Sequence, residues 1–197
     1  MCTLQIDLPD LEATRALGAR LARHARPGCV IALDGPLGAG KTELVRGFVE
    51  YLSAEASCEV ASPTYALIHR YPSEPPLLHA DFYRVEDALE LEVIGGDDLL
   101  DPEDEVSLIE WAARFADHLP GHAWRVDLAV TSEHGRTANL TGSLPDALLK
   151  DTPMGKGNNQ RSNKEKKKPK KEKPKATEAT SSFVPKKDYS STPKKGK

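Results

Sequence analysis

Gly35-Pro36-Leu37-Gly38-Ala39-Gly40-Lys41-Thr42 fits the pattern G-x-x-x-x-G-K-[ST] at every position, and both flanks supply the context that pattern needs. Val30-Ile31-Ala32-Leu33 precedes it as a short apolar run, which predicts a buried strand. The residues after it place Leu44, Phe48 and Leu52 on one stripe with Val45 and Val49 beside it, which predicts an amphipathic helix starting at Gly40-Lys41. A loop that folds around a phosphate must turn several backbone N–H groups inward, and Gly35, Gly38 and Gly40 carry no Cβ to obstruct that. The helix start adds the positive end of its dipole. Lys41 then reaches the β- and γ-phosphates, and the Thr42 hydroxyl is a candidate magnesium ligand. With no phosphate present, the Lys41 side chain is expected to face solvent. Lys41 is also the sole lysine before Lys150, in a stretch with ten arginines.

Working outward, residues 3–8 alternate as an edge strand, and Pro9-Asp10 opens a helix capped by Asp10, with Leu11, Thr14, Leu17, Leu21 and Ala25 at helical spacing up to Pro27-Gly28. Residues 65–71 and 77–82 read as an antiparallel hairpin around Pro72-Ser73-Glu74-Pro75-Pro76, so the sheet is mixed. Residues 86–94 read as a helix with Leu89 and Val93 facing inward, stopped by Gly95-Gly96 and followed by a solvated acidic loop over 97–105. Residues 106–109 are a buried strand, 112–119 a helix ending at Pro120-Gly121, and 124–130 with 136–140 a second hairpin. The expected fold is a three-layer α/β P-loop domain over residues 1–150 with a mixed, partly antiparallel sheet.

Charge divides the chain. Residues 1–150 carry 12 Lys+Arg against 25 Asp+Glu, a net of −13, whereas residues 151–197 carry 15 against 5, a net of +10. The second segment has 14 lysines, five prolines and only Met154, Phe183, Val184 and Tyr189 as sizeable apolar groups. Too little apolar surface is available there to offset ordering entropy, so a disordered basic C-terminal tail is expected. The acidic body argues against a folded nucleic-acid groove. Cys2, Cys29 and Cys58 form neither a disulfide framework nor a zinc pattern. No apolar run approaches a membrane span and no leader is recognisable, so a cytoplasmic protein without membrane partners is expected.

Phosphoryl transfer needs carboxylates besides the loop. Asp81, in His79-Ala80-Asp81-Phe82-Tyr83-Arg84, and Glu110, in Leu108-Ile109-Glu110-Trp111, both end predicted strands, where ligands sit in open α/β sheets. An Asp81–Arg84 pair and a helix-start role for Glu110 are the plainer alternatives. The His79-x-Asp81 pair reads more readily as structural than as metal-binding, and Trp111 more readily as core than as a stacking platform. Ser62 and Thr64 are turn hydroxyls or a loop that senses the γ-phosphate.

Taken together, Gly-Pro-Leu-Gly-Ala-Gly-Lys-Thr at 35–42, Val-Arg-Gly-Phe at 45–48, Ser-Pro-Thr-Tyr at 62–65, His-Ala-Asp-Phe-Tyr-Arg at 79–84, Ile-Glu-Trp at 109–111 and Leu119-Pro120 resemble the bacterial TsaE (YjeE) family over residues 3–142. The resemblance implies an ATPase, slow alone, that docks on the threonylcarbamoyl-transfer complex of the TsaB–TsaD type and resets it during threonylcarbamoyladenosine formation on tRNA. It implies ATP and Mg2+ as ligands. Residues 35–42 cradle the nucleotide in that reading, with Lys41 on the phosphates, Thr42, Asp81 and Glu110 at the magnesium, Ser62 and Thr64 as a switch-like loop, and Trp111 adjoining. Two positions depart from the family pattern: Glu43 stands where a small hydroxyl residue is usual, which puts an acidic side chain near the α-phosphate end, and Ala112 replaces a common proline.

Other classes fit less well. Guanine selection by an N/T-K-x-D element needs a lysine after the loop, and none stands between Lys41 and Lys150. A small-molecule kinase wants a lid of clustered arginines, and those after the loop are scattered singly. An RNA-binding module acting mainly through the tail, with nucleotide hydrolysis secondary, is the remaining alternative; in the TsaE-like reading tRNA is a weak or indirect partner through that basic tail.

Overall fold

The computed structural model describes residues 3–53 and 60–150. The chain divides into two units, 1–155 and 156–197, and every described residue belongs to the first. The expectation of a disordered tail over 151–197 lies outside the described residues, as do Cys2 and Cys58.

Seven strands form one sheet: β1 (Leu4–Leu8), β2 (Val30–Asp34), β3 (Ile68–Tyr71), β4 (Leu77–Asp81), β5 (Val106–Glu110), β6 (Trp124–Val130) and β7 (Arg136–Gly142), in the order β1-β7-β6-β2-β5-β4-β3. The centre is parallel, with β2 between β5 and β6 and β4 beside β5; β1–β7, β6–β7 and β3–β4 are antiparallel. This is the mixed α/β sheet the sequence predicts. Buried on both faces, β2 alternates its side chains between two cores. Ile31 and Leu33 join Leu17, Leu21, Leu44, Phe48 and Leu108 on one side, while Val30 and Ala32 join Leu78, Phe82, Leu91, Leu99 and Phe115 on the other.

The first core is covered by α1 (Leu11–His24) and α2 (Lys41–Leu52). Asp10 caps α1 as predicted, its Oδ1 accepting from Ala13 N at 2.8 Å. The two helices cross at glycines: a Cβ on Gly18 would run into Leu44 O, and one on Gly47 into the Arg15 backbone. The short α5 (Asp146–Lys150), which the sequence reading lacks, packs on α1 through fully buried Leu148, whose carbonyl accepts from Arg20 Nη2. The second core lies under α3 (Ala88–Val93), α4 (Gly96–Leu100) and a 3-10 turn at Ala112–Phe115.

Four expectations are corrected here. The strand expected from Tyr65 begins at Ile68, because Leu67 N donates to Pro63 O at 2.6 Å and Leu67 takes a φ of 65°, closing a turn first. In α3, Leu91 is the buried residue, whereas Leu89 and Val93 are 68% and 79% exposed. The Asp87 cap sets the phase of that helix, and Leu91 with Ile94 forms the stripe that meets the sheet. The acidic loop at 97–105 contains α4, whose Leu99 and Leu100 are buried while Asp97 and Asp98 face out. The helix expected over 112–119 is a 3-10 turn followed by irregular turns, entered from Trp111 at a φ of 61°.

Candidate phosphate-binding site

Parallel pairing of β2, β4 and β5 brings their carboxyl ends to one edge, where residues 35–42 leave β2 and enter α2. Gly40 caps α2 with a φ of 103°, a conformation L side chains rarely adopt. A Cβ on Gly35, at a φ of 134°, would collide with Leu128 O. These two positions explain the glycine requirement of the loop.

A cleft of about 230 Å3 opens beside the loop. Leu37, Gly38, Gly40, Lys41 and Thr42 form one wall; Ser62, Thr64, Asp81, Tyr83, Glu110 and Trp111 form the other. Contrary to the solvent-facing expectation, Lys41 is only 5% exposed. Its Nζ donates to Gly35 O at 2.7 Å and Pro36 O at 3.1 Å, and lies 3.8 Å from the Trp111 ring centroid. Burial pushes its pKa below the ordinary lysine range, against the pull of Glu110, Asp81 and Asp34. An ammonium curled onto its own loop can exchange two carbonyls for phosphate oxygens, which carry more charge.

Asp81 and Glu110 are register partners across β4 and β5. Glu110 Oε1 accepts from Thr42 Oγ1 at 2.9 Å and lies 3.0 Å from His79 Nε2, with His79 wholly buried. Asp81 Oδ2 accepts from the hydroxyls of Ser62 and Thr64, the latter at 2.7 Å, and Asp81 Oδ1 accepts from Tyr83 N at 2.8 Å. Thr42, Asp81 and Glu110 therefore converge as two carboxylates and a hydroxyl, a hard-oxygen set that suits magnesium. Among the described residues no group of three or more His, Cys, Asp or Glu side chains gathers as a metal cage. An ion held by one or two carboxylates, a hydroxyl and substrate phosphates does not require such a cage.

Some sequence-predicted residues sit apart from the cleft wall. Glu43 turns toward α1, its Oε2 2.7 Å from Arg15 Nε and its Oε1 3.5 Å from Arg46 Nε, so its carboxylate is held by two arginines rather than aimed into the cleft. Gly35 and Pro36 contribute carbonyls to Lys41, and Ala39 is wholly buried with its N–H donating to Pro36 O at 3.1 Å. Arg84, the alternative partner of Asp81, stacks on Tyr65 at 5.2 Å instead.

Three participants escape the sequence reading. Tyr83 lines the cleft and packs on Trp111 with centroids 5.0 Å apart. His79 holds Glu110, a pairing that the H-x-D spacing hints at without naming its partner. Asp34, at the end of β2, accepts from Ala113 N at 2.8 Å, starting the 3-10 turn behind Trp111; burial pushes its carboxyl above the ordinary range, with the Ala113 N–H pulling down. Its place directly before Gly35 is the one available signal.

Comparison with known proteins places the chain in a family and a fold. A family model described as "Threonylcarbamoyl adenosine biosynthesis protein TsaE" matches residues 8–138. The tRNA threonylcarbamoyladenosine biosynthesis protein TsaE of Bacillus subtilis is 36% identical over 131 residues, covering 66% of this chain and 80% of that protein. The protein of the same name from Streptomyces coelicolor is 38% identical over 136 residues, covering 65% and 89%. Mycobacterium tuberculosis has one that is 37% identical over 120 residues, covering 57% and 70%. Among solved structures, that of Bacillus subtilis YdiB superimposes with a TM-score of 0.60 at 26% identity, covering 76% of this chain and 93% of that one.

Proposed function

The chain belongs to the TsaE family and acts in tRNA threonylcarbamoyladenosine biosynthesis, and on that premise we propose that it is the ATP-hydrolysing member of the machinery, docking on a TsaB–TsaD-type threonylcarbamoyl-transfer complex and resetting it in the cytoplasm. The observation that carries the reading is the convergence of Lys41, Thr42, Asp81 and Glu110 on one cleft at the carboxyl ends of β2, β4 and β5. Among the described residues no helix is long and apolar enough to cross a membrane.

In this reading Lys41 leaves the Gly35 and Pro36 carbonyls and clamps the β- and γ-phosphates, while backbone N–H groups of the loop, other than at Pro36, which has none, and at Ala39, whose N–H is held by Pro36 O, join the α2 dipole in holding the rest of the chain of phosphates. Magnesium, when bound, neutralises charge on the transferring group. Thr42 and Asp81 present oxygen ligands for it. Glu110, fixed by the Thr42 hydroxyl and by His79, is positioned to orient the attacking water. Ser62 and Thr64 tie a loop to Asp81, so occupancy of the cleft is transmitted to residues 62–65. Trp111 and Tyr83 shield the clamp from water. The basic segment 151–197 supplies weak, salt-sensitive contact to tRNA phosphates.

Phosphate release from ATP, measured with and without the purified transfer complex, tests the proposal. The expected result is slow turnover alone and strong stimulation by the complex. Turnover that ignores the complex but follows an added small-molecule phosphate acceptor would identify a kinase instead.

A further inference from the structure

Adjoining the 62–65 loop, and sharing no lining residue with the phosphate cleft, lies an open groove of about 500 Å3 whose walls include Tyr65, Leu67, Val85, Leu89, Val93 and Ile94. Its rim is unusually apolar for a surface: Tyr65 is 88% exposed, alongside the exposed Leu89 and Val93 already described. Leu89 and Val93 stand four residues apart on α3, so they form one stripe of that helix, opposite the stripe that Leu91 sinks into the core. Contiguous exposed apolar side chains of this kind mark interaction surfaces.

The groove lacks what a small polar ligand would need. Of its two charged lining residues, Glu90 is engaged in capping α3, its Oε2 accepting from Glu86 N at 2.8 Å while its own N donates to Asp87 Oδ1 at 2.9 Å. The other, Arg84, lies over the Tyr65 ring. Apart from Arg84, the exposed charges on α3, on α4 and in the segment just before α3 are acidic: Glu86, Asp87, Glu92, Asp97 and Asp98. The surface thus has an apolar centre and an acidic rim, the complement of a protein face with apolar side chains framed by lysine and arginine.

The same groove touches the site through one loop. Tyr65 follows Thr64, whose hydroxyl donates to Asp81 Oδ2. Leu67, the groove floor, donates to Pro63 O and accepts from Asp81 N at 3.0 Å. A side chain seated against Tyr65 and Leu67 therefore acts on the segment that holds Asp81.

We propose that this groove is the docking surface for an apolar, basic-rimmed face of the threonylcarbamoyl-transfer complex, and that its occupation shifts the 62–65 loop to stimulate turnover. The proposal rests on the function proposed above and adds the surface and its chemistry. The test is the double variant Leu89→Ser/Val93→Ser, both positions exposed and outside the cleft lining, with Glu92→Lys/Asp98→Lys as a second variant of the rim. Affinity for the purified transfer complex and ATP turnover with and without it are measured for each. The serine variant is expected to keep wild-type basal turnover and to lose at least tenfold in affinity for the complex. The lysine variant is expected to bind more weakly at low salt, with a flatter salt dependence. Binding and stimulation equal to wild type in the serine variant would overturn the groove assignment and leave the proposed function intact. A complex that neither binds nor stimulates the wild-type chain would overturn both. Self-association of the wild type, lost in the serine variant and seen by light scattering, would assign the groove to a second copy and overturn the proposal.

Discussion

Replacing Lys41 by alanine separates what the clamp does for the reaction from what it does for the fold. The Lys41 ammonium makes two charge-assisted hydrogen bonds, at 2.7 Å and 3.1 Å, and a cation–π contact at 3.8 Å. Hydrogen bonds to charged groups are worth about 1.5–3 kcal/mol each, and a cation–π contact about 0.5–2 kcal/mol. Against them stands the desolvation of a cation, about several kcal/mol. The downward direction of the Lys41 pKa shows burial prevailing over the attraction of Glu110, Asp81 and Asp34. The opposing contributions nearly cancel, so Lys41→Ala should change folding stability by no more than about 1.5 kcal/mol, a shift of at most ~6 °C in Tm for a domain of this size. Catalysis by the proposed clamp would have no such cancellation, because phosphate charge would replace the carbonyls. Loss of one preorganised donor raises a barrier by about 2.7–4 kcal/mol, a 10²–10³-fold fall in turnover. Phosphate release at saturating ATP and thermal unfolding of the same sample measure the two effects. Turnover within threefold of wild type would refute the clamp, and a Tm loss above ~10 °C would refute the cancellation. Lys41→Met, which retains an apolar stem against Trp111, should match alanine in turnover and exceed it in stability.

Further predictions concern neighbouring groups. Glu110→Gln should keep nucleotide affinity and lose turnover, whereas Asp81→Asn should weaken magnesium-dependent binding of a slowly hydrolysed ATP analogue; equal affinity loss in both would remove the division of roles. Asp34 has a carboxyl pKa raised by burial, so the folded state holds its proton to higher pH than the unfolded chain, and stability falls as pH rises through that window. Asp34→Asn keeps an acceptor for Ala113 N and should therefore be more stable than wild type at pH 7, with the gain absent below about pH 3.8, the ordinary value; urea unfolding at several pH values reads this directly. Gly47→Ala pushes a methyl into the Arg15 backbone where α1 crosses α2. Overpacking of about 3 kcal/mol less about 1 kcal/mol of helix propensity leaves a loss near 2 kcal/mol, or ~4–8 °C in Tm by calorimetry.

What the sequence disclosed and what it hid differ in physical kind. The loop at 35–42 was legible because close backbone approach to phosphate excludes other residues at several positions. Asp81 and Glu110 were legible because parallel strands deliver their carboxyl ends to one edge. The burial of Lys41 was not, since it depends on Trp111 folding over the clamp from 70 residues away, in a left-handed conformation that Asp34 helps set by capping the turn behind it. Glu43 looked like a nucleotide contact by its position after Thr42, but Arg15 on a neighbouring helix decides where its carboxylate points. In α3, Leu89/Val93 and Leu91/Ile94 are both valid helical stripes, and periodicity cannot tell a stripe that faces the core from one that faces outward. The short α5 carries no strong pattern of its own, because its anchor is a long-range contact of Leu148 with α1.

On the proposed reading, the two ends of the 62–67 segment answer to different occupants. At one end Asp81 already accepts from Ser62, Thr64 and Tyr83 N, three of the roughly four acceptor sites a carboxylate offers. A cation recruited to Asp81 must compete with those hydroxyls, so filling the cleft loosens the hold on Ser62 and Thr64. At the other end Tyr65 and Leu67 form the groove wall, so a partner seated there acts on the same backbone. Both ligands then bias one loop equilibrium, and linkage makes the bias reciprocal: whatever factor the transfer complex adds to the affinity for magnesium nucleotide, the nucleotide must add to the affinity for the complex. A coupling of about 1–3 kcal/mol, the usual range, is a 5–150-fold change in either dissociation constant. Titrating the complex into the chain with and without a slowly hydrolysed ATP analogue, and the analogue with and without the complex, should give the same ratio. Coupling that survives undiminished in Thr64→Val, which removes one of the hydroxyls joining the loop to Asp81, would show that the signal travels by another route.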